Sequence, residues 1–272
     1  MFCRCPYCET ARKNGGKDLR MRCSFRIDAK HMIDFSPDIY SQLLKNHIDL
    51  MDLEHLLITH THDDHFDFFE LLERTCAVPQ SQNTLNVYMS VPAFNLVHGM
   101  LSSDQNLMRE LTKPGNFKLI PVDYFETFQA GKLRVTALKA NHKAFGPDEY
   151  GLNYLMYLPD GRHFLYATDT GWYPEETWAF LRGKHADTVV LEATYGGRLD
   201  RDPHPDDHLD LRSALLALER MEEIRFITKE TPVYFTHINH KHDLMHADMQ
   251  KTVDASDYNV TIAWDGLRIA VK

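Results

Sequence analysis

A short run of metal-binding side chains constrains the fold of this chain more than any other feature. Residues 59–65 read Thr-His-Thr-His-Asp-Asp-His and directly follow an apolar Leu-Leu-Ile segment. Imidazole and carboxylate groups are the usual nitrogen and oxygen ligands of zinc and its first-row neighbours. If a strand ends here, its two-residue alternation places His60 and His62 on one side, and the next turn brings Asp64 and His65 toward a second position. The motif therefore predicts half-sites for two adjacent metal ions.

This H-x-H-x-D-H pattern resembles the signature loop of the metallo-β-lactamase superfamily. The resemblance implies an α/β fold, the αββα sandwich of two mixed β-sheets flanked by helices, formed by residues 1–272 as a single domain. It also implies a hydrolytic site at one edge of the two sheets, with three further metal ligands later in the chain. Relatives usually begin with a strand and a glycine-rich loop, whereas this chain opens at Met1-Phe2-Cys3. We therefore expect the family's first strand to be missing.

Three later segments match the settings in which the superfamily places its remaining ligands. A strand-like alternation ends in Asn-His, which makes His142 the candidate third histidine of the first metal. A second apolar run leads into Thr-Asp-Thr-Gly, the kind of turn that holds the family's bridging carboxylate, so Asp169 is its candidate. A third apolar run leads into Thr-His, and His237 is the candidate for the last ligand. The alternative for each is an ordinary loop residue at the end of a strand.

The resemblance implies a dinuclear centre with one ligand set for each metal. The first set is His60, His62 and His142, the second is Asp64, His65 and His237, and Asp169 bridges the two metals. Two divalent ions suit this mixture of donors, and zinc, manganese and iron all accept it. Such a pair would lower the pKa of a bridging water, so that a hydroxide attacks the substrate. Asp34 resembles the superfamily's early strand-ending aspartate, which is not a ligand but hydrogen-bonds into the metal site.

Three of the five cysteines lie at the start of the chain, as Cys3, Cys5 and Cys8. No basic region with an apolar stretch precedes them, which predicts a cytoplasmic protein, where thiols stay reduced and clustered thiols favour a metal over disulfides. The Cys-x-Cys-x-x-Cys pattern and a later Thr-His-x-x-His resemble the branch that contains the phosphodiesterase of the carbon–phosphorus lyase (phosphonate-degradation) pathway. That resemblance implies a structural zinc held by the three cysteines and His240. The alternative is a set of reduced, metal-free thiols.

A strand-like segment ending in Glu-Ala-Thr-Tyr at residues 192–195 resembles the phosphodiesterase branches of the superfamily. In those relatives a histidine follows at the start of a helix and assists at the phosphate or the leaving group. His208 and His204 both fit, and we favour His208 because it directly precedes a helix-like segment. Its expected role is to donate a proton to the leaving oxygen or to bond a phosphoryl oxygen. The predicted catalytic residues are His208 and two of the predicted metal ligands, Asp169 and Asp64.

The leading functional prediction is a metal-dependent hydrolase that cleaves a small phosphodiester, cyclic or linear, through the metal-bridging hydroxide. The first alternative is a metal-dependent lactone, ester or thioester hydrolase. A tRNA 3′-processing endonuclease is disfavoured, because the chain lacks a Gly/Pro-rich arm and has Phe66-Asp67-Phe68-Phe69 where those relatives favour Gly-Leu-Pro. A non-catalytic, metal-dependent binding protein is disfavoured because the ligand set is complete.

Composition bounds the partners of the chain. The net charge is −9 at pH 7. The sequence has no long basic stretch of the kind that binds nucleic acid, so a nucleic acid partner is not expected. No apolar run is long enough to span a membrane. The expected partner is a small-molecule substrate, with a homodimer as the default oligomer. We interpret Cys23 and Cys76 as small buried side chains, and His242 and His246 as surface or supporting residues.

Overall fold

In the computed structural model of this chain, the described residues are 3–76, 83–112, 116–198, 200–240 and 243–271. The chain forms two compact units. The N-unit comprises Met21–Gly131 and Lys143–Leu152, and the C-unit comprises Met1–Arg20, Lys132–His142 and Asn153–Lys272. Each unit is built on strands that carry predicted ligand residues at their ends.

One sheet has five strands in the order β1-β2-β3-β4-β5. These strands are Phe25–Arg26 (β1), His31–Ile33 (β2), His55–Leu57 (β3), Leu85–Ser90 (β4) and Phe117–Val122 (β5). β1 pairs antiparallel with β2, and the remaining neighbours pair in parallel. Every residue of β2 and β3 is buried, as expected for the inner strands of a parallel sheet. The parallel pairing brings the carboxyl ends of β2 and β3 to the same edge.

The second sheet has seven strands in the order β12-β11-β10-β9-β8-β7-β6. These strands are Thr127–Ala130 (β6), Leu133–Lys143 (β7), Tyr150–Tyr157 (β8), His163–Ala167 (β9), Thr188–Glu192 (β10), Val233–Thr236 (β11) and Val260–Ile262 (β12). β9, β10, β11 and β12 pair in parallel, and β8 pairs antiparallel with β9. Both sheets are therefore mixed, and the predicted α/β fold with two mixed sheets flanked by helices is confirmed.

Eight helices accompany the strands in the described part of the chain. They are Pro6–Asn14 (α1), Ile39–Asn46 (α2), Phe68–Leu72 (α3), Val91–Ser102 (α4), Gln105–Thr112 (α5), Glu175–Leu181 (α6), Leu211–Glu223 (α7) and His246–Asp254 (α8). α7 begins with a reciprocal cap, in which Asp210 accepts from the Ser213 backbone and the Ser213 hydroxyl accepts from the Asp210 backbone. None of the described helices combines the length and the apolar character that crossing a membrane requires.

The core of the N-unit is an apolar cluster on the five-stranded sheet. Phe66 and Phe68 are buried in this cluster, whereas Phe69 is 67% exposed. The cause is helical geometry, because adjacent residues on a helix point in different directions and α3 buries the side that carries Phe68.

The first described residues form α1 and a short 3-10 turn at Gly16–Asp18, and no strand precedes β1 in the described region. The prediction of a single domain remains a prediction. The interpretations of His242 and of the Cys76 side chain concern groups that lie outside the described part of the structure. Cys23 is partly exposed rather than fully buried, and His246 is half-buried at the start of α8.

A buried histidine pair lies at the start of β2 and β3, where parallel register places His31 beside His55 with ring centroids 4.9 Å apart. Gly131 has φ +55° and lies against this pair. A Cβ atom on Gly131 would lie 2.7 Å from His55 Nε2 and 2.8 Å from His31 Nε2. Only glycine combines that backbone conformation with that close approach.

We expect Gly131→Ala to lower the free energy of unfolding by on the order of 2–4 kcal/mol, from a strained backbone and a displaced histidine pair. The matched control is Gly16→Ala, at φ +57° with no atom within 4 Å of the added Cβ. That control should cost only about 1–2 kcal/mol. Chemical denaturation of the three proteins measures both values, and equal losses would contradict the role of the histidine pair.

Candidate functional site

The predicted ligands of the N-unit lie in the loop at residues 59–65, which follows β3. The strand ends at Leu57, so His60 and His62 belong to this loop and do not alternate along a strand as predicted. The loop turns back through hydrogen bonds from the His65 and Phe66 backbone amides to the His62 carbonyl, at 3.0 and 2.9 Å. His60 and His65 are fully buried, which brings two imidazoles out of solvent at the sheet edge.

Asp34 holds this ligand loop from the end of β2. Its carboxylate is fully buried and accepts hydrogen bonds from the Thr59 backbone amide (2.8 Å) and hydroxyl (2.9 Å). It also accepts from His65 Nδ1 at 2.7 Å. A carboxylate on Nδ1 fixes the ring and directs Nε2 toward a possible metal position. The supporting role of Asp34 stays a prediction.

His60 and His62 converge through two ring nitrogens. The Thr59 hydroxyl lies 3.0 Å from His60 Nδ1, and His60 Nε2 lies 3.1 Å from His62 Nδ1. His60 Nε2 and His62 Nδ1 therefore lie side by side. Two imidazole lone pairs at such a separation suit one shared cation, and Asp64 Oδ2 lies 3.8 Å from His65 Nε2 beside them.

Glu149 stabilises the ligand loop from the segment that leads into β8, and sequence reasoning missed it. Its buried carboxylate accepts from the Thr61 backbone amide at 2.9 Å and from the Thr61 hydroxyl at 2.5 Å. The Gly146 backbone amide donates to the same carboxylate at 2.7 Å. Glu149 lies in a polar stretch without a recognisable motif, so no signal in the sequence marks it. Its contact with Thr61, between two predicted ligands, fixes the loop from a second side.

In the C-unit the candidate residues follow the parallel strands β9, β10 and β11. Asp169 comes two residues after β9, Glu192 ends β10, and His237 directly follows β11. Parallel strands place their carboxyl ends at one edge, so residues far apart in sequence meet there. Gly171 completes the Thr-Asp-Thr-Gly turn because a Cβ there would lie 2.2 Å from the Pro205 carbonyl oxygen.

The two carboxylate oxygens of Asp169 face two different imidazoles. Oδ2 lies 3.6 Å from Nε2 of His142, and Oδ1 lies 3.1 Å from Nε2 of His237. The other nitrogen of each ring is engaged elsewhere, by Asp207 Oδ1 at 2.7 Å for His142 and by the Thr194 hydroxyl at 2.9 Å for His237. Both rings therefore present Nε2 toward one buried carboxylate. A bridging carboxylate between two histidine-bound cations requires this arrangement of donors.

Burial lowers the pKa of His142, but the hydrogen bond to Asp207 and the charge of Asp169 outweigh this effect, so its pKa is raised. The same hydrogen bond lowers the pKa of Asp207. Asp207 was not predicted, and its only sequence signal is its place directly before His208.

His208 lies among these groups and His204 does not. The His208 ring is 4.6 Å from the His142 ring and 5.8 Å from the His237 ring, centroid to centroid. Glu192 accepts a hydrogen bond from His208 Nδ1 at 2.9 Å. His204 is exposed and packs against Trp172, with the two ring centroids 4.0 Å apart. The position of His208 favours it over its competitor, whereas its catalytic role stays a prediction.

Glu192 organises the edge of the C-unit sheet. Its fully buried carboxylate accepts from four donors, which are His208 Nδ1 and the backbone amides of Thr170, Thr194 and Leu209. The Thr170 and Leu209 amides belong to the turns that carry Asp169 and His208. The Glu-Ala-Thr-Tyr pattern marked this residue, and its role is to join the two turns.

The donor sets fit divalent metals. Each unit supplies imidazole nitrogens together with a carboxylate at the same sheet edge, and the second ring nitrogen of His60, His65, His142 and His237 is held by a protein group. Such N/O sets bind zinc, manganese or iron. The N-unit set is His60, His62, Asp64 and His65, and the C-unit set is His142, Asp169 and His237. Together they comprise every predicted ligand of the dinuclear centre.

The three N-terminal cysteines are also close together. Their sulfur atoms lie within 4.8 Å of one another, around the start of α1, whose N-cap is Cys5. Burial is the largest of the effects that raise the pKa of Cys8 to about 11, and its cysteine neighbours add to it. His240 lies in an exposed turn after β11 and is not part of this sulfur group. The cysteine cluster is therefore present, while its zinc and its fourth ligand remain predictions.

The family described as "Beta-lactamase superfamily domain" matches residues 31–238. The metallo-beta-lactamase fold protein YhfI from Bacillus subtilis is 18% identical, with a TM-score of 0.65 and 91% of each chain covered. The short form of human tRNase Z is 15% identical, with a TM-score of 0.63, covering 92% of this chain and 91% of that one. Unliganded yeast PDE1 is 14% identical, with a TM-score of 0.61, covering 80% of this chain and 68% of that one. No curated protein sequence matches the chain.

The contact with Glu192 makes the titration of His208 a test of the C-unit geometry. Burial lowers the pKa of His208, but the charge and hydrogen bond of Glu192 prevail and raise it to about 9. The charged ring therefore stabilises the metal-free fold fully below pH 6.5, and this stabilisation is lost as the pH rises through 9. In Glu192→Gln burial should dominate, and we expect the pKa of His208 to fall below its ordinary value. Histidine NMR titration of the metal-free proteins measures the change, and an unchanged value would contradict this geometry.

Proposed function

We propose that this chain, which belongs to the beta-lactamase superfamily, is a dinuclear-metal phosphodiesterase for small phosphodiesters, linear or cyclic. The observation that carries the proposal is Asp169, whose two oxygens face Nε2 of two different histidines. A hydrogen-bonding role for Asp169 would need only one of these contacts. Two such contacts on a buried carboxylate are the donor geometry of a bridging ligand.

In this proposal the metal ligands are the residues that the resemblance to the superfamily assigns. His60, His62 and His142 would hold one divalent ion, Asp64, His65 and His237 would hold the other, and Asp169 would bridge them. When bound, such ions lower the pKa of water toward neutrality and stabilise negative charge on phosphoryl oxygens. Asp34, Asp207 and Thr194 orient the ligand rings through Nδ1, and Glu149 keeps the Thr61 backbone in place between two ligands.

His208 is the proposed proton donor to the leaving oxygen. Its ring lies beside two proposed ligand histidines, and Glu192 holds Nδ1, so Nε2 is the nitrogen that can transfer a proton. A positioned general acid of this kind typically contributes about 10²–10⁴-fold in rate. Glu192 fixes the ring and balances its charge in the buried site.

The residues of the C-unit support a phosphodiester substrate over an acyl substrate. The Glu-Ala-Thr-Tyr segment and the histidine that precedes α7 both resemble phosphodiesterase branches of the superfamily. Acyl transfer depends chiefly on hydrogen-bond donors to the oxyanion of its tetrahedral intermediate. The buried pair of Glu192 and His208 is not such a donor group, so it gives less support to an acyl substrate. Human tRNase Z and yeast PDE1 share the fold alone with this chain, so the choice of substrate rests on its own residues.

The first test of the proposal is Asp169→Ala, assayed on metal-loaded protein with bis(p-nitrophenyl) phosphate. Loss of the bridging carboxylate should lower the turnover number by on the order of 10³-fold and reduce the bound metal by one or two ions per chain relative to the wild type. Elemental analysis by mass spectrometry gives the metal content. The matched control is Asp160→Asn, an exposed turn carboxylate, which should keep both metals and full activity. Full hydrolysis by Asp169→Ala would refute the proposal.

The role of His208 predicts a dependence on the leaving group. A p-nitrophenolate leaves without protonation, whereas an alkoxide needs a proton at the departing oxygen. We therefore expect His208→Ala to reduce turnover by about tenfold for a p-nitrophenyl ester, and by about 10²–10³-fold for an alkyl diester such as a ribose cyclic phosphate. His204→Ala serves as the control and should change neither rate. Equal losses on both substrates would assign His208 to binding rather than proton transfer.

A further inference from the structure

Phe145 is an apolar side chain left largely in solvent on the segment between β7 and β8. The side chain is 63% exposed, and it is one of the few large hydrophobic residues in the described part of the chain with so much exposure. Large apolar side chains are usually buried, because removing apolar surface from water stabilises the fold. An exposed one does not contribute this stabilisation. An exposed phenylalanine next to a functional loop is therefore informative about binding.

The nearest aromatic neighbour of Phe145 is a proposed metal ligand. The Phe145 and His62 ring centroids are 4.6 Å apart, with an angle of 69° between the ring planes. His62 itself is partly exposed. The edge-to-face contact places the largely exposed phenyl ring directly beside the proposed ligand.

The segment that carries Phe145 is held rigidly. The Ala144 amide donates to the Glu149 carbonyl at 3.1 Å, and the Glu149 amide donates to the Gly146 carbonyl at 3.0 Å. The Glu149 side chain then joins this turn to Thr61 of the ligand loop. Gly146 is required, because a Cβ there would lie 2.6 Å from Glu149 Oε2. The same carboxylate thus fixes the ligand loop and the turn that presents Phe145.

We propose that Phe145 is a specificity-determining residue that binds a planar aromatic substituent of the substrate, an inference that rests on the proposed phosphodiesterase function. A diester held by an ion on His62 would carry its substituents close to the His62 ring. The exposed Phe145 ring lies beside the His62 ring and can therefore stack with a substituent that is an aryl group or a base. The substrate class is therefore an aryl or nucleoside diester rather than a dialkyl one.

The test compares two diesters with the same leaving group, bis(p-nitrophenyl) phosphate and methyl p-nitrophenyl phosphate. The first retains an aromatic ring on the phosphate that remains, and the second retains a methyl group. We expect Phe145→Leu to raise KM for the diaryl ester by roughly three- to tenfold, as the loss of one aromatic contact would, while kcat stays within about twofold. The KM for the methyl ester should change less than about twofold, and Phe145→Tyr should behave as wild type.

The control variant is Phe69→Leu, since Phe69 is similarly exposed at 67% and contacts the Phe68 ring instead of a ligand. It should leave both KM values unchanged. Equal losses on the two substrates, with reduced metal content, would show that Phe145 only supports His62 and would overturn the inference. Unchanged KM values in Phe145→Leu, with wild-type turnover of both diesters, would overturn it as well. A metal-loaded wild type that hydrolyses neither diester would instead refute the proposed function, and this inference with it.

Discussion

Three residues of the predicted site leave their strands in a backbone conformation that ordinary residues avoid. Asp34, Asp169 and His237 follow β2, β9 and β11 with φ of +59°, +50° and +58°. The left-handed region costs a residue with a Cβ roughly 1–2 kcal/mol, and such strain persists only where the surroundings hold it. The turn that results directs each side chain back across the carboxyl end of its sheet. The remaining contacts of the site depend on these three turns.

Buried carboxylates supply the interactions that hold these turns in place. Asp34, Glu149 and Glu192 each accept hydrogen bonds from backbone amides and from at least one side chain. An isolated buried carboxylate costs several kcal/mol, and only a full set of donors offsets that cost. Removing one donor therefore affects the whole group, because the remaining charge loses part of its solvation. This coupling explains why each acid connects two segments: Asp34 connects β2 to the ligand loop, and Glu192 connects the turn after β9 to the segment before α7.

The fold could be predicted from the sequence, and the candidate ligand residues could be recognised in it, because both follow local patterns. Apolar runs of strand length marked β3, β9, β10 and β11, and His60, Asp169 and His237 are close to the ends of those runs. The supporting residues Glu149 and Asp207 were missed because only tertiary contacts define them. Glu149 contacts Thr61, 88 positions away, and Asp207 contacts His142, 65 positions away. The sequence wrongly placed His60 and His62 at the end of strand β3, and this error has a local cause. The strand stops at Leu57 because the Thr59 amide bonds to the Asp34 carboxylate instead of a neighbouring strand.

The pair formed by Asp207 and His142 shows how one contact serves the protein with and without a cation. Without metal, the carboxylate bonds Nδ1 and raises the pKa of the ring, and the nearby Asp169 adds to that effect. In the proposed site a divalent ion at Nε2 would displace a proton from this ring, so metal binding and protonation would compete, and loading would become more favourable as the pH rises. Once the proton is displaced, the same bond to Asp207 keeps the ring oriented and increases the electron density on Nε2. The carboxylate that disfavours metal at low pH is thus the one that strengthens the ligand at neutral pH.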